Sequence, residues 1–410
     1  MRPLYIVHAL PFFDPATRFG GPVAQLRRVC RELAARGHHV SVVTTDLEIG
    51  PALPRDQWVE RDGYRVWYAT AHRLGRWAPY YAPRIREPLD ACLPDTDVLH
   101  LSLSFTHLNI VARRRAAAHA VPYVYTPRSC LDPVRLRQRR VLKLGFLALH
   151  ERRIIRDAAA VHVLTDVERG QAMRQGARPD QCVVIPNGAE LDPDADLPDG
   201  NVFREHARVD PDAPLVLFMG RLHRVKGLDL LVDAFARLRT EVPAAHLVIA
   251  GPDEGERPAI EARVRRLGIA DAVRFTGSLD GALRLSAFRA ADVFALTSYS
   301  EGMPNAVLEA CAAGTPVLIS DRCNMPEVAT FAAGRVIPIS AGGAMATASG
   351  LREMLADPVA LRAMGDNARR MVRERFAWPT VIGRLDTLYR RLTSGSVASD
   401  GPDVATVRAA

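Results

Sequence analysis

Lysine is nearly missing from this chain: of its 54 basic residues only Lys143 and Lys226 are lysines, and the rest are arginine. A lysine kept against that bias marks a position that wants a compact ammonium rather than a planar fork. Cysteine is sparse. Cys30, Cys92, Cys130, Cys182, Cys311 and Cys323 form no CxxC pair and fall mostly in apolar segments, which points to reduced structural thiols and not to a disulfide framework. No apolar run approaches the ~20 residues that span a bilayer. The run Leu4-Tyr5-Ile6-Val7 is broken by His8 and leads into Pro11-Phe12-Phe13-Asp14 rather than a small-residue cleavage site, so it reads as a first strand. The expected location is cytoplasmic, with room for peripheral attachment to the inner face of the plasma membrane. Neither GxGxxG nor GxxxxGK[ST] occurs, which removes support for dinucleotide or ATP binding of those kinds. There is no HxxxH or Cys/His set with metal-ligand spacing. Asp95-Thr96-Asp97 matches DxD only nominally and reads as a surface turn before a strand. Neither a metal nor a cofactor is expected.

What is present is ordinary soluble composition with an uneven charge. The 410 residues are 48% hydrophobic and 24% charged, too long for one core, and two domains of similar size are the natural division. The net charge is +8, but residues 1–185 hold 28 basic and 17 acidic residues, so the remainder is slightly acidic. An anionic partner for the first half follows. Residues 135–156 are expected to be helical, with Arg135, Arg137, Arg139, Arg140, Lys143, Arg152, Arg153 and Arg156 among Val141, Leu142, Leu144, Phe146, Leu147 and Leu149. This basic amphipathic stretch fits an anionic membrane surface, or equally a surface helix with snorkelling arginines.

Short apolar runs alternate with helical periodicity along both halves. Strands are expected near 4–7, 40–45, 64–68, 98–101, 122–126, 159–164 and 183–185, then near 215–219, 246–250, 273–276, 293–296 and 317–319, with Trp77–Pro83 as an irregular loop. Strand–helix alternation predicts two parallel α/β sheets, each doubly wound. The divisions are 1–190 for the first domain, a proline-bearing linker at 191–212, a second domain at 213–375, a late helix at 376–392 and a disordered tail at 393–410.

The most informative stretch is Glu301-Gly302-Met303-Pro304-Asn305-Ala306-Val307-Leu308-Glu309. It follows a buried strand, turns at Gly302, and starts a helix at Pro304 that Gly314 and Pro316 end. A helix start at a strand's carboxyl end is an anion site in α/β sheets. Arg221, directly after another strand, and Lys226, at the opening of the next helix, supply two cations for a phosphate or diphosphate. Glu301 and Glu309 are then candidates for sugar and ribose hydroxyls respectively; read alone, Glu309 is a charge satisfying a helix dipole.

These residues resemble a known family. Glu301 to Glu309 matches the E-x7-E motif of retaining glycosyltransferases of family 4, which have the GT-B fold of two Rossmann-like domains facing across a cleft. Gly220-Arg221 and Lys226-Gly227 resemble the family's donor motif, Gly20-Gly21-Pro22 its N-terminal glycine loop, Val184-Ile185-Pro186-Asn187-Gly188 the end of its first domain, and Arg274-Phe275-Thr276-Gly277 its nucleobase loop. The resemblance implies that Arg221 and Lys226 hold the donor diphosphate, with Gly220, Thr276 and Gly277 beside it. It implies further that Glu309 binds ribose, that Glu301, Gly302, Met303, Pro304 and Asn305 hold the sugar, and that the late helix crosses back to the first domain. The catalytic groups implied are Arg221, Lys226 and Glu301.

The acceptor side is less defined. Gly20 and Gly21 line it by resemblance. His100 or His107 is a candidate for contact, although a strand-end histidine is as often a core residue. Arg128 is a candidate for an acceptor phosphate. The expected reaction is transfer from a nucleotide-diphosphate sugar to a glycan or lipid-linked acceptor in cell-envelope or exopolysaccharide synthesis. A hydrolysing nucleotide-sugar epimerase of the same fold is the alternative. A basic module for membrane or nucleic acid comes third, and nucleic acid is not expected as a partner.

Overall fold

The computed structural model describes residues 2–16, 20–74, 78–340 and 342–394. The first sheet contains β1 (Tyr5–Ala9), β2 (His39–Thr45), β3 (Trp58–Arg61) and β4 (Tyr64–Ala69), then β7 (Val98–Ser102), β8 (Tyr123–Thr126), β9 (Ala160–Val163) and β10 (Cys182–Val184). Between them, β5 (His72–Leu74) and β6 (Ala78–Tyr81) form a separate two-stranded ribbon. The strand order across the first sheet is β10-β9-β8-β7-β1-β2-β4-β3, parallel throughout except for the antiparallel edge pair β3–β4. The second sheet holds β11 (Leu215–Met219), β12 (His246–Ala250), β13 (Val273–Gly277), β14 (Val293–Leu296), β15 (Val317–Ser320) and β16 (Gly334–Ile337) in the order β13-β12-β11-β14-β15-β16, all parallel. Every residue of β11, β14 and β15 is buried, as a central strand covered by helices on both faces requires.

Both sheets therefore reverse direction of growth beside their first strand, between β1 and β7 and between β11 and β14. Such reversals leave a crevice outside the carboxyl ends, where α/β proteins bind ligands. Each domain has its own buried core. The helix Trp378–Thr393 adds Trp378, Val381, Ile382, Leu385, Leu388 and Tyr389 to the core built on Leu4, Ile6, Val98 and Val124, so the end of the chain closes the first domain.

Three expectations need correction. The range 191–212 is not a free linker: it contains the helix Gly200–Ala207, and Phe203, Ala207 and Val209 are buried in the second domain's core. The polar, proline-bearing composition hid an apolar face. Residues 78–81, read as loop, form β6, and Tyr81 packs its ring against His107 at 4.7 Å. The basic stretch is not one helix. Its pieces are Pro133–Arg137, Arg140–Phe146 and Arg152–Asp157, with a wider π-turn at Leu147–Glu151 and a break where Arg139 adopts a left-handed φ of 53°. The tail expected to be disordered lies, from residue 395 onward, outside the described residues.

Candidate active site

At the end of β11 the chain passes through Gly220, whose N–H donates to the Ala250 carbonyl at 2.9 Å, into Arg221. A single helical turn, Arg224–Lys226, follows; its cap is His223, whose Nδ1 accepts from the Val225 N–H at 3.1 Å. Gly227 then takes a φ of 64°, and a Cβ there would lie 2.0 Å from the Thr297 carbonyl oxygen. Only glycine lets this loop touch the one leaving β14. The contact is fastened by Thr297 Oγ1, which donates to the Gly227 carbonyl at 2.8 Å.

That close approach brings together residues 75 positions apart. Lys226 Nζ lies 2.6 Å from Glu301 Oε1, with both side chains largely buried. Ser298 Oγ donates to the same oxygen at 2.7 Å, and Asn324 Nδ2 donates to the Glu301 carbonyl at 2.7 Å. Burial acts to raise the Glu301 carboxyl, but the Lys226 charge and hydrogen bond, helped by Ser298, hold it below the ordinary carboxylate value. Arg221 sits further out, about half exposed, and pairs with Glu254 at 2.7 Å. Thr276 and Gly277 end β13 nearby, where the Gly277 carbonyl accepts from the Gly251 N–H at 2.7 Å.

The turn from Glu301 leads into the helix Asn305–Ala313, whose first turn carries no side-chain cap. Glu309 is buried within that helix and pairs with Arg284, which projects from the helix Gly281–Ala290. Burial raises the Glu309 carboxyl, with Arg284 opposing it. Glu190 shares this environment: burial first, then the charge of Glu309, push its carboxyl up to about 7.

The first domain meets the same turn. Gly20 and Gly21 open the helix Gly21–Ala35, and a Cβ on Gly21 would lie 3.0 Å from Asn305 Nδ2. A Cβ on Gly302 would stand 1.7 Å from Ser129 Oγ. Asn187 donates through Nδ2 to Asn305 Oδ1 at 3.1 Å and to the Met303 carbonyl at 3.5 Å, and its own N–H points to Met303 Sδ at 3.3 Å. Gln25 bonds both the N–H and the carbonyl of Gly188, at 3.0 and 2.8 Å, and donates to Glu190 at 3.3 Å. The donor-side turn is thus gripped by the segment joining the domains.

The acceptor-side histidines divide. His100 is buried with both ring nitrogens occupied, Nδ1 by the Tyr389 hydroxyl at 2.6 Å and Nε2 by Thr126 Oγ1 at 2.7 Å. It packs the late helix onto the sheet and is corrected from ligand candidate to core residue. His107 starts the helix His107–Ala118 and faces Tyr81. Arg128 has a left-handed φ of 47°, as has Ser129 at 62°, and Arg128 lies close enough to His8, His100 and His162 to disfavour their charged forms. Asp97 is occupied by Arg2 at 2.6 Å and the Tyr5 N–H at 2.9 Å, which suits a structural turn. Ser129, Asn187, Glu190, Gln25 and Arg284 were not legible as site residues. Asn187 stood in a motif associated only with a domain end, and the others have no local signal because their partners lie far along the chain.

Comparison with known proteins finds a family and a fold for the chain. Residues 201–371 match the family described as glycosyl transferases group 1, and residues 20–188 match the glycosyl transferase 4-like domain. A D-inositol 3-phosphate glycosyltransferase of Kineococcus radiotolerans is 30% identical over 269 residues, which is 62% of this chain and 62% of that protein. The match thus spans less than two thirds of that relative's length. Among solved structures, sucrose-phosphate synthase from Thermosynechococcus elongatus superposes with a TM-score of 0.76 and 25% identity, covering 96% of this chain and all of that one. HepE of Anabaena, solved with UDP-glucose, superposes with a TM-score of 0.72 at 20% identity, covering 94% of this chain and 100% of that chain.

Proposed function

Because the chain belongs to the GT4-type glycosyltransferases of the GT-B fold, we propose that it transfers a sugar, with retention of anomeric configuration, from a nucleotide-diphosphate sugar to a glycan or lipid-linked acceptor in cell-envelope or exopolysaccharide synthesis. The observation that carries the reading is the meeting of Lys226 and Glu301 at 2.6 Å beside the strand reversal of the second sheet. Departure of a nucleoside diphosphate leaves negative charge on the outer phosphate. Lys226, Arg221 and the uncapped start of Asn305–Ala313 are placed to take up that charge, so the proposed reaction needs no metal. The diphosphate then competes with Glu254 for Arg221 and with Glu301 for Lys226. Glu301, once its ammonium turns to phosphate, is free to accept from sugar hydroxyls. Glu309 does the same for ribose. The UDP-glucose in the HepE structure supports a nucleotide-diphosphate sugar as the donor.

The test is calorimetric titration with UDP, GDP, ADP and TDP, followed by a product assay with the matching labelled sugar donor. Binding of one diphosphate with micromolar affinity, and product only when acceptor is present, are expected. No binding of any of the four, or conversion of the donor without acceptor, overturns the reading.

A membrane surface is proposed for the basic stretch. Val141 is 84% and Leu149 64% exposed, with Arg137, Arg139, Arg140, Arg152 and Arg153 exposed around them. Apolar side chains standing out of a ring of arginine suit an anionic leaflet. Among the described residues no helix is long and apolar enough to cross a membrane. Sedimentation with phosphatidylglycerol vesicles, lost on Val141→Asp/Leu149→Asp, is the expected outcome; equal binding by the variant removes this surface.

A further inference from the structure

Arg284 has no place in the donor motif read from the sequence, yet it is the side chain bonded to the carboxylate that the proposed function gives to ribose. It stands in the first turn of Gly281–Ala290, seven residues after Gly277 of the stretch that resembles a nucleobase loop, and its Nη2 is hydrogen-bonded to Glu309 Oε2. Among the described residues Glu309 Oε1 has no hydrogen-bond partner. One carboxylate oxygen is held, and the other is left to accept. The guanidinium also lies over the Phe288 ring, 5.8 Å from its centroid, which holds it on the helix Gly281–Ala290. Resting on the donor-site reading above, we propose that Arg284 is a positioning residue for the donor, fixing the Glu309 carboxylate through Oε2 so that Oε1 is presented to a ribose hydroxyl.

The electrostatic surroundings make that support necessary. Glu309 is buried, which disfavours its charged form, and Glu190 adds a second carboxylate nearby. The charged groups facing this pair are Arg284 from Gly281–Ala290 and, towards Glu190, Arg27 and Arg28 from Gly21–Ala35. Of these arginines, Arg284 is the one that acts on Glu309. Without it, two buried carboxylates share one environment and titrate as a coupled pair. As pH falls, the pair takes up a proton, and Glu309 loses part of its strength as an acceptor. In the native protein the Glu190 carboxyl, at about 7, takes up that proton while Arg284 keeps Glu309 charged, so a variant lacking Arg284 loses donor affinity more steeply than the native protein from pH 8 to pH 6.

The experiment measures the affinity of the tightest of UDP, GDP, ADP and TDP at pH 6, 7 and 8 for the native chain, Arg284→Ala, Arg284→Lys and Glu309→Gln, with melting temperatures recorded for each. Expected are a weakening of roughly tenfold or more in Arg284→Ala, as for loss of a charge-assisted contact, a further loss from pH 8 to pH 6, and substantial recovery in Arg284→Lys. An Arg284→Ala affinity equal to native at all three pH values overturns the proposal, as does a loss that is constant with pH and not recovered by lysine, which a purely structural role would give. Glu309→Gln separates the two layers. If it binds like the native protein, the ribose assignment itself fails; if it loses affinity while Arg284→Ala does not, only the role of Arg284 fails.

Discussion

The two sheets share one point of reversal and, in β4-β2-β1-β7-β8-β9 and β13-β12-β11-β14-β15-β16, one central strand order, to which the first sheet adds β3 and β10 at its edges, yet polar residues serve opposite ends in them. In the first sheet His8 of β1 and His100 of β7 are register partners at the reversal, with ring centroids 5.1 Å apart, and His162 of β9 lies 5.6 Å from His100. All three are buried, and Tyr389 of the late helix seals the row. In the second sheet the strand interiors at the reversal are wholly apolar, and the charges stand just beyond the strand ends, at Arg221, Lys226 and Glu301. A polar side chain inside a central strand has nowhere to go but the packing layer. A side chain in the loop that follows the strand, from two residues past its end at Arg221 to seven at Lys226, stands clear of that layer. Position relative to the strand end, not residue type, separates structural from chemical groups here.

The sharpest way to break this contrast is Lys226→Ala. Loss of a charge aimed at the leaving group is expected to lower kcat by about 10²–10³, with far-ultraviolet dichroism unchanged, whereas substitution of the buried His100 acts on melting temperature before turnover. A Lys226→Ala enzyme with native kcat would erase the distinction. Next in size is the contact between domains. Gly302→Ala forces a methyl into Ser129 Oγ, and the turn and Ser129 must move apart. A fall of about tenfold to a hundredfold in kcat/KM is expected, the scale of misplaced reacting groups. Adding Ser129→Gly removes the obstructing hydroxymethyl at a residue whose φ of 62° suits glycine, and activity should return. No rescue by the double variant would mean that Gly302 is required for another reason.

The smallest effect concerns acid. Burial first, then neighbouring Arg128 and His162, push His8 down to about 3; burial, together with Arg128, pushes His162 down to about 4, against the Ile185 carbonyl hydrogen bond that would raise it. Folded-state values below the unfolded 6.5 mean that the unfolded chain binds the protons. Stability is then complete above about pH 6.5 and falls as pH drops towards those folded values. Each such histidine contributes a slope of up to about 1.4 kcal/mol per pH unit in that window. Urea midpoints measured from pH 7 to pH 4.5 should decline, and His8→Asn should flatten the decline by one proton. An unchanged slope would show that His8 is not neutral by burial.

Much of this was legible before any coordinates. Apolar runs such as Leu215–Met219 and Val293–Leu296 have one physical reading when bounded by glycine and helical periodicity, and the parallel α/β class follows from their alternation. The residues proposed for the donor were readable because they sit in the loops between strand and helix, where local sequence marks both the strand's stop and the helix's start. The acceptor side lacked that advantage: His100 stood open between ligand and core residue because nothing near it in sequence discloses Tyr389, 289 residues away. The same holds for Arg284 on Glu309 and Asn187 on Asn305.

The sequence by itself determined two parallel α/β sheets, a turn at Glu301-Gly302 that leads into a helix and carries two carboxylates, and two cations after another strand. Periodicity, turn chemistry and charge are local properties, and they suffice for that much. Only the tertiary structure decided that Lys226 closes on Glu301, that Arg284 holds Glu309, and that His100 belongs to the core. Each of those is a contact between side chains whose separation in space is set by how sheets and helices pack, which no neighbour along the chain records.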